Sequence, residues 1–295
     1  MASMREIKRR KASIASTQQI TKAMKLVSTV KLQRAKSKAE ATKPYFDCMY
    51  DTVATMLTKS GNVDHPYLKS GASSKKAVIT ITSNRGLAGG YNNNIVKLIT
   101  GDEAFDKENT EIYALGKKGR DSLALKGYTV ASDLSEVMNG PIYADAKELS
   151  EELLAKFEKG EIGEIYLAYT VFKNTVTHIP TMLKLLPVEI ETKDTAEGGD
   201  NIPMNYEPDE EEALGMIIPK YITSLIYGAM MEAVASENGA RMQAMDSATS
   251  NAEEMIQKLE LDYNRAGQGS ITQELTEIIA GAHAISYSEW HNRKE

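Results

Sequence analysis

Apolar residues recur every three or four positions over residues 214–285, with no proline after Pro219, and this spacing predicts one helix far longer than a single domain needs. Leu214, Ile218, Tyr221, Leu225, Ala229, Ala233, Val234, Met242, Met245, Ala248, Ala252, Ile256, Leu259 and Tyr263 carry the stripe. At about 1.5 Å per residue, some 70 residues would make a rod on the order of 100 Å long, which needs a partner along its length. Small residues on it, among them Gly228, Ala229, Ala233, Gly239 and Ala240, let a second backbone approach closely. The first fifty or so residues of the chain are the natural candidate for that partner. Residues 1–60 are mostly helix formers with one proline, Pro44, and a thin stripe of Ile7, Ile14, Ile20, Met24, Val27 and Val30 suited to a two-helix seam.

Between these helices the pattern changes. Residues 61–74 hold Asn62, Asp64, Pro66 and Gly71 and read as a loop. Short β-branched runs follow at 77–82, 112–115, 128–130 and 165–171, alternating with helical stretches ending at Ile99, at 117–126 and at 145–158. A last strand, 178–188, carries Pro180 and Pro187 and belongs at an edge. Alternating strands and helices imply crossovers and a mostly parallel sheet. The fold class expected is therefore α/β, an antiparallel coiled coil of long N- and C-terminal helices with an inserted Rossmann-like domain. The boundaries expected are 1–60 for the first shaft helix, 75–190 for the α/β foot, 207–285 for the second shaft helix and 286–295 for an extra tail, disordered by default. Aligned at the domain end, about 55 residues of the first helix reach only to the neighbourhood of Tyr263. Ile271, Leu275, Ile278, Ile279 and Ile285 then lie on an overhang that something outside the chain must shield.

Composition changes this picture little, and charge distribution rather more. The 295 residues are 42% hydrophobic, enough for a core, with a net charge of −6. The first 43 residues are basic, with only Glu6 and Glu40 as acids, while Glu207, Asp209, Glu210, Glu211 and Glu212 form an acidic run that favours the two ends meeting. Cys48 is the only cysteine, so no intrachain disulfide forms, which fits a reducing cytoplasm. No apolar run of transmembrane length is read, and no hydrophobic signal core follows the basic start. His65, His178, His283 and His291 lack metal-ligand spacing, so no metal is expected.

Candidate chemistry is sparse. The turn Asn84-Arg85-Gly86-Leu87-Ala88-Gly89-Gly90-Tyr91 stands between strand and helix, where a phosphate cradle would sit. Tyr91 and Asn92 occupy the places of a Walker lysine and hydroxyl, and the glycines miss the dinucleotide spacing, which favours a tight turn over a nucleotide site and gives no cofactor. Gly116-Lys117-Lys118-Gly119-Arg120 likewise reads as a strand-to-helix turn with a solvated basic face. The basic first helix has no aromatic platform, so acidic protein partners are favoured over nucleic acid. No Ser-His-Asp, Cys-His or paired-carboxylate set is identifiable, so no catalytic residue is assigned.

Residues 270–282, Ser-Ile-Thr-Gln-Glu-Leu-Thr-Glu-Ile-Ile-Ala-Gly-Ala, closely resemble the C-terminal signature of the gamma subunits of F-type ATP synthases. Glu6-Ile7, Thr17 to Met24, Arg85-Gly86-Leu87 with Gly89-Gly90 and Asn92, Tyr206-Glu207-Pro208-Asp209 and Ala240-Arg241-Met242 extend the resemblance across the whole chain. The resemblance implies a non-catalytic central rotor shaft. Its hairpin would stand inside a ring of three alpha and three beta subunits, and its foot would sit on the c ring beside the epsilon subunit. Ion flow would then drive ATP synthesis or hydrolysis in the ring, and the protein would be peripheral at the cytoplasmic face of a bacterial-type membrane. By the same resemblance Met24 and Arg241 pass the acidic lever loops of beta, with Lys25 and Lys31 as charge partners. Gln268, Thr272 and Glu274 hydrogen-bond the catalytic ring, and Tyr206 and Glu207 face epsilon and the c ring. The competing expectation is a non-rotary coiled-coil adaptor with a ligand-binding Rossmann-like domain. The chain departs from the family at Gly267, where an arginine is usual, and in its tail. Gly267 and Gly269 should soften the shaft without breaking the helix.

Overall fold

The computed structural model describes residues 4–59, 65–189 and 210–292, without the side chains of Lys59, Glu210 and residues 284–292. Tyr206 and Glu207 lie outside the described residues. In chain order the elements are α1 (Met4–Lys59), β1 (Lys76–Ile81), α2 (Tyr91–Thr100), β2 (Thr110–Leu115), α3 (Lys117–Leu125), β3 (Thr129–Asp133), α4 (Tyr143–Glu158), β4 (Glu164–Phe172), β5 (His178–Leu186) and α5 (Glu210–Asn292). Short 3-10 turns at Pro66–Leu68 and Ser135–Asn139 were not anticipated. The chain divides into two compact units, Met1–Lys25 with Met245–Glu295, and Leu26–Ala244.

The larger unit is built on a five-stranded sheet of order β3-β2-β1-β4-β5. β1 pairs in parallel with β2 and β4, β2 in parallel with β3, and β5 closes one edge antiparallel to β4. Every side chain of β1 beyond Lys76 is buried, as a central strand covered on both faces requires. One face, with Val78, Ile112, Ala114 and Ala168, packs on Ile95 and Ile99 of α2 and Leu123 of α3. The opposite face, with Ile79, Ile81, Leu115 and Leu167, packs on Leu149 and Leu153 of α4 and on Leu214, Ile218, Ile222 and Ile226 of α5. At roughly 1.5–3 kcal/mol for each large aliphatic side chain buried, this second layer is the principal apolar attachment of the helix to the sheet. Within the same unit α1 runs antiparallel to α5: Tyr50 faces Tyr221 at 6.4 Å, a Cβ on Gly228 would lie 3.5 Å from the Phe46 ring, and Leu32 and Ala35 pack with Ala235.

The smaller unit is a pair of antiparallel helices. Lys11 pairs with Glu260 at 3.0 Å, Thr21 with Thr249 at 2.8 Å, and Lys25 with Asp246 at 2.6 Å. Ile7, Thr21, Met245 and Ala252 are buried in its seam, with Ile14, Met24, Ile256, Leu259 and Tyr263 half-buried.

Several expectations are corrected. The α5 stripe is borne by the helix as read, but on α1 Ile20, Val27 and Val30 are more than half exposed, while Thr21, Ser28, Leu32 and Ala35 are buried. The seam steps by seven from Ile7 through Ile14, Thr21 and Ser28 to Ala35, and a heptad register tolerates small polar residues where backbones come close. Lys11 and Lys25 of the basic N-terminal segment pair with Glu260 and Asp246 of α5; Glu207 and Asp209 of the acidic run lie outside the described residues. α2 begins at Tyr91, inside the stretch read as loop, and α5 continues to Asn292, past the expected end at Ile285. One stretch of α5 is long and apolar enough to cross a membrane, against the expectation of none, and 61% of that stretch is buried, as in the core helix of a soluble protein.

Glu232 of α5 gives a pH-dependent prediction. Its Oε2 is buried without a hydrogen-bond partner, and burial raises its pKa, against a backbone hydrogen bond at Phe172 and the charge of Lys43, which lower it. A carboxyl whose folded pKa lies above its unfolded value contributes stability below the unfolded value and loses it as pH rises through the folded one. Glu232→Gln should therefore raise the melting temperature at about pH 8, and the gain should vanish near about pH 4. Thermal unfolding in the two buffers checks this; an equal gain in both would show that the carboxyl does not titrate as its burial demands.

Candidate functional site

The end of α5 is the first candidate surface. Every described residue from Gln268 to His283 is exposed, including Ile271, Leu275, Ile278 and Ile279 at 51–71%. Ile271, Leu275 and Ile278 are spaced by four and three and share one face, an apolar stripe with no part of this unit against it. Gln268, Thr272 and Glu274 stand on the same exposed stretch. The Thr272 hydroxyl donates to the Gln268 carbonyl at 2.9 Å, and Gln273 donates to Glu277 at 3.0 Å. Gly267 and Gly269 lie within continuous helix, and neither has a positive φ. A Cβ on Gly267 would meet Met4 Cε at 3.8 Å, and one on Gly269 would meet nothing within 4 Å. Alanine at both should raise the helicity and stability of this helix pair by up to about 2 kcal/mol. Circular dichroism of the chain through denaturant titration measures it, and a loss of helicity would refute the reading.

The residues expected along the shaft are treated differently by the structure. Met24 is half-buried; Lys25 is drawn into the ion pair with Asp246 and remains 38% exposed. Lys31 is exposed and forms no ion pair among the described residues. Arg241 is committed within the chain. Its Nη1 pairs with Glu237 at 2.7 Å, its Nε and Nη2 donate to the Gly86 carbonyl at 3.3 Å, and Nη2 donates to the Arg85 carbonyl at 3.2 Å. The side chains of Arg241 and Glu237 are only 11% and 15% exposed. Glu237, absent from the residues expected at the site, stands at i,i+4 spacing from Arg241, the one signal in the sequence for the pair.

The turn that Arg241 grips is held from all sides. The Ser83 amide donates to Asn92 Oδ1 at 2.8 Å, the Ser83 hydroxyl donates to the Arg85 carbonyl at 2.5 Å, and Asn84 bridges the Ser135 carbonyl and the Lys117 amide. Leu87, with φ of 63°, holds a left-handed conformation unusual for a branched residue, and its side chain is 62% exposed. Tyr91 is buried and donates to the Ala233 carbonyl at 3.2 Å, and burial holds its phenol pKa well above the usual value. The turn follows β1, whose chain crosses over to β2 on one side and whose other neighbour is β4. In such sheets the crevice beyond the carboxyl ends of these strands is the usual ligand position. Here α5 lies against it, through Arg241, Ala233 and the Ser236 hydroxyl donating to the Thr170 carbonyl at 3.0 Å.

Among the described residues, no three metal-ligating side chains gather. His65 is buried and caps the Pro66–Leu68 turn by accepting from the Tyr67 amide at 3.2 Å, and burial lowers its pKa. His178 is inserted between strand and shaft: a Cβ on Gly239 would come within 2.7 Å of its Cε1, so only glycine permits that approach.

In one unit α5 covers the crevice where such a sheet usually takes a ligand, and in the other an apolar stripe is bare, features of a structural subunit in an assembly. The comparisons agree. A family model described as ATP synthase matches residues 3–285. The ATP synthase gamma chain of Lachnoclostridium phytofermentans is 65% identical over 292 residues, covering 97% of this chain and all of that one. The sodium ion specific ATP synthase gamma chain of Acetobacterium woodii is 40% identical, covering 96% of this chain and 99% of that one. A chain of the Euglena gracilis mitochondrial ATP synthase has the same fold, with a TM-score of 0.65 at 18% identity, covering 97% of this chain and 95% of that one. The chain belongs to the ATP synthase gamma-chain family, whose members are non-catalytic subunits of their complex.

Proposed function

We propose that this chain is the central rotor shaft of an F-type ATP synthase, turned at its α/β foot by a c ring and turning inside a ring of alpha and beta subunits. One observation carries the reading: sixteen consecutive exposed residues at 268–283 hold an apolar stripe that this chain leaves uncovered. A surrounding sleeve of other subunits supplies the cover. On this reading Gln268, Thr272 and Glu274 face that sleeve. Met24 and Lys31 present the shaft to the acidic loops of beta, with Lys25 divided between Asp246 and the ring. Tyr206 and Glu207 are assigned to the epsilon and c-ring side of the foot. The complex would sit at the cytoplasmic face of the membrane, with this chain peripheral to it. Choice of proton or sodium ion would reside in the membrane ring; the sodium ion specific relative shows that this family serves at least one sodium enzyme. The adaptor alternative offers no cover for the bare tip. Affinity purification of the tagged chain from its own cells tests the proposal. One copy per three alpha and three beta chains is expected, with no ATP turnover by the isolated chain; turnover by the chain alone would refute it.

A further inference from the structure

The Glu237–Arg241 pair joins two elements that chain connectivity leaves apart. The linkers between the α/β domain and the shaft helices leave the sheet at the amino end of β1 and after β5, whereas the Arg85–Gly86 turn lies at the carboxyl end of β1. At that end Arg241 donates to two successive backbone carbonyls while its third edge is neutralised by Glu237, in a setting where both side chains are largely shielded from water. A guanidinium so placed acts as a bracket: planar, always charged and matched to paired acceptors in a way an ammonium is not. Beside it, Tyr91 ties α2 to the Ala233 carbonyl and Ser236 ties α5 to β4.

We propose that Glu237 and Arg241 are positioning residues that clamp the Arg85–Gly86 turn to α5, so that the α/β domain and this part of the shaft helix rotate as one body. The crevice that in related sheets takes a ligand takes the shaft instead. This rests on the rotary reading above. Under load the domain is pushed sideways relative to α5, and the apolar layer alone, being non-directional, resists sliding weakly. Hydrogen bonds of fixed direction to two carbonyls resist it. With the clamp released, the turn opens and part of each rotation is lost as slip between foot and shaft.

The test uses the whole complex in membrane vesicles, with Arg241→Ala, Arg241→Lys and Glu237→Gln. Two quantities are read: the rate of tryptic cleavage after Arg85, whose own carbonyl Arg241 holds, and ion pumping per ATP hydrolysed. Cleavage by protease follows the population of the open turn. Arg241→Ala should speed cleavage after Arg85 by about tenfold or more, and pumping per ATP should fall to less than about half, with hydrolysis itself largely kept. Arg241→Lys should restore less than half of either, because an ammonium reaches one carbonyl where the guanidinium holds two, and Glu237→Gln, which keeps the guanidinium, should lie nearer the unmutated complex. A purely stabilising role would lower the yield of complex without moving the pumping ratio, and that result would overturn the proposal. Lost pumping with unchanged cleavage would also overturn it, showing that Arg241 acts outward on the ring. If Arg241→Ala does not assemble, the ordering of the other two variants decides on the same two readouts. Failure of the unmutated complex to pump at all would sink the rotary reading itself and is seen separately.

Discussion

Replacing Gly116 with alanine is expected to unfold the α/β domain or leave it barely stable. Gly116 joins β2 to α3 at φ of 126°, a conformation closed to residues with a side chain. Its Cβ would stand 2.1 Å from the Thr82 carbonyl oxygen at the end of β1, a backbone atom that cannot step aside. The same Thr82 receives the Gly119 amide at 2.9 Å through its hydroxyl, which in turn donates to the Gly116 carbonyl at 3.2 Å, so turn, strand and helix start are one interlocked contact. Backbone strain and steric overlap together should cost about 3 kcal/mol or more, a large share of the roughly 5–15 kcal/mol available to a domain. Denaturant unfolding of the variant, or its loss from the soluble fraction, measures it. A change below about 1 kcal/mol would mean that the turn relaxes freely and that the interlock is not the constraint it looks to be.

Removing residues 268–295 should have the opposite distribution of effects. The described residues of that stretch with side chains are exposed throughout, so the fold gives up no core with them, and the melting temperature of the α/β domain should be unchanged. Solubility of the isolated chain should rise, because Ile271, Leu275, Ile278 and Ile279 go. Assembly with the ring subunits should weaken at least about tenfold, since each aliphatic side chain buried in a sleeve stands to contribute on the order of 1 kcal/mol or more. Proteolysis across Lys76–Leu186 reports on the domain, and co-purification of alpha and beta chains reports on assembly. Unfolding of the domain would show that the tip is part of the fold; undiminished assembly would show that the tip is not the ring-facing surface.

The α/β alternation, the parallel sheet with a proline-bearing edge, the two long helices and the bare end of α5 were all readable from residue pattern. Each depends on the periodicity of one segment, three to four residues for helix and two for strand, or on a comparison of lengths. The turn at Gly116 was readable as a turn for the same local reason. Which face of α1 meets α5 was not readable from hydrophobicity. Ile20, Val27 and Val30 promised the seam, yet Thr21, Ser28 and Ala35 occupy it beside Ile7 and Leu32, because the heptad register of the pair, and not the hydrophobicity of each residue, decides which positions face α5. Arg241 shows the same limit at a single residue. The family resemblance implies a cation that passes the loops of beta, and only the fold brings the Arg85 and Gly86 carbonyls, some 155 residues away in the chain, to within 3.3 Å of its guanidinium. Local periodicity is a property of one segment and is determined by sequence alone. The destination of a buried charge depends on which distant backbone groups lack partners, and that is decided only when the segments have packed.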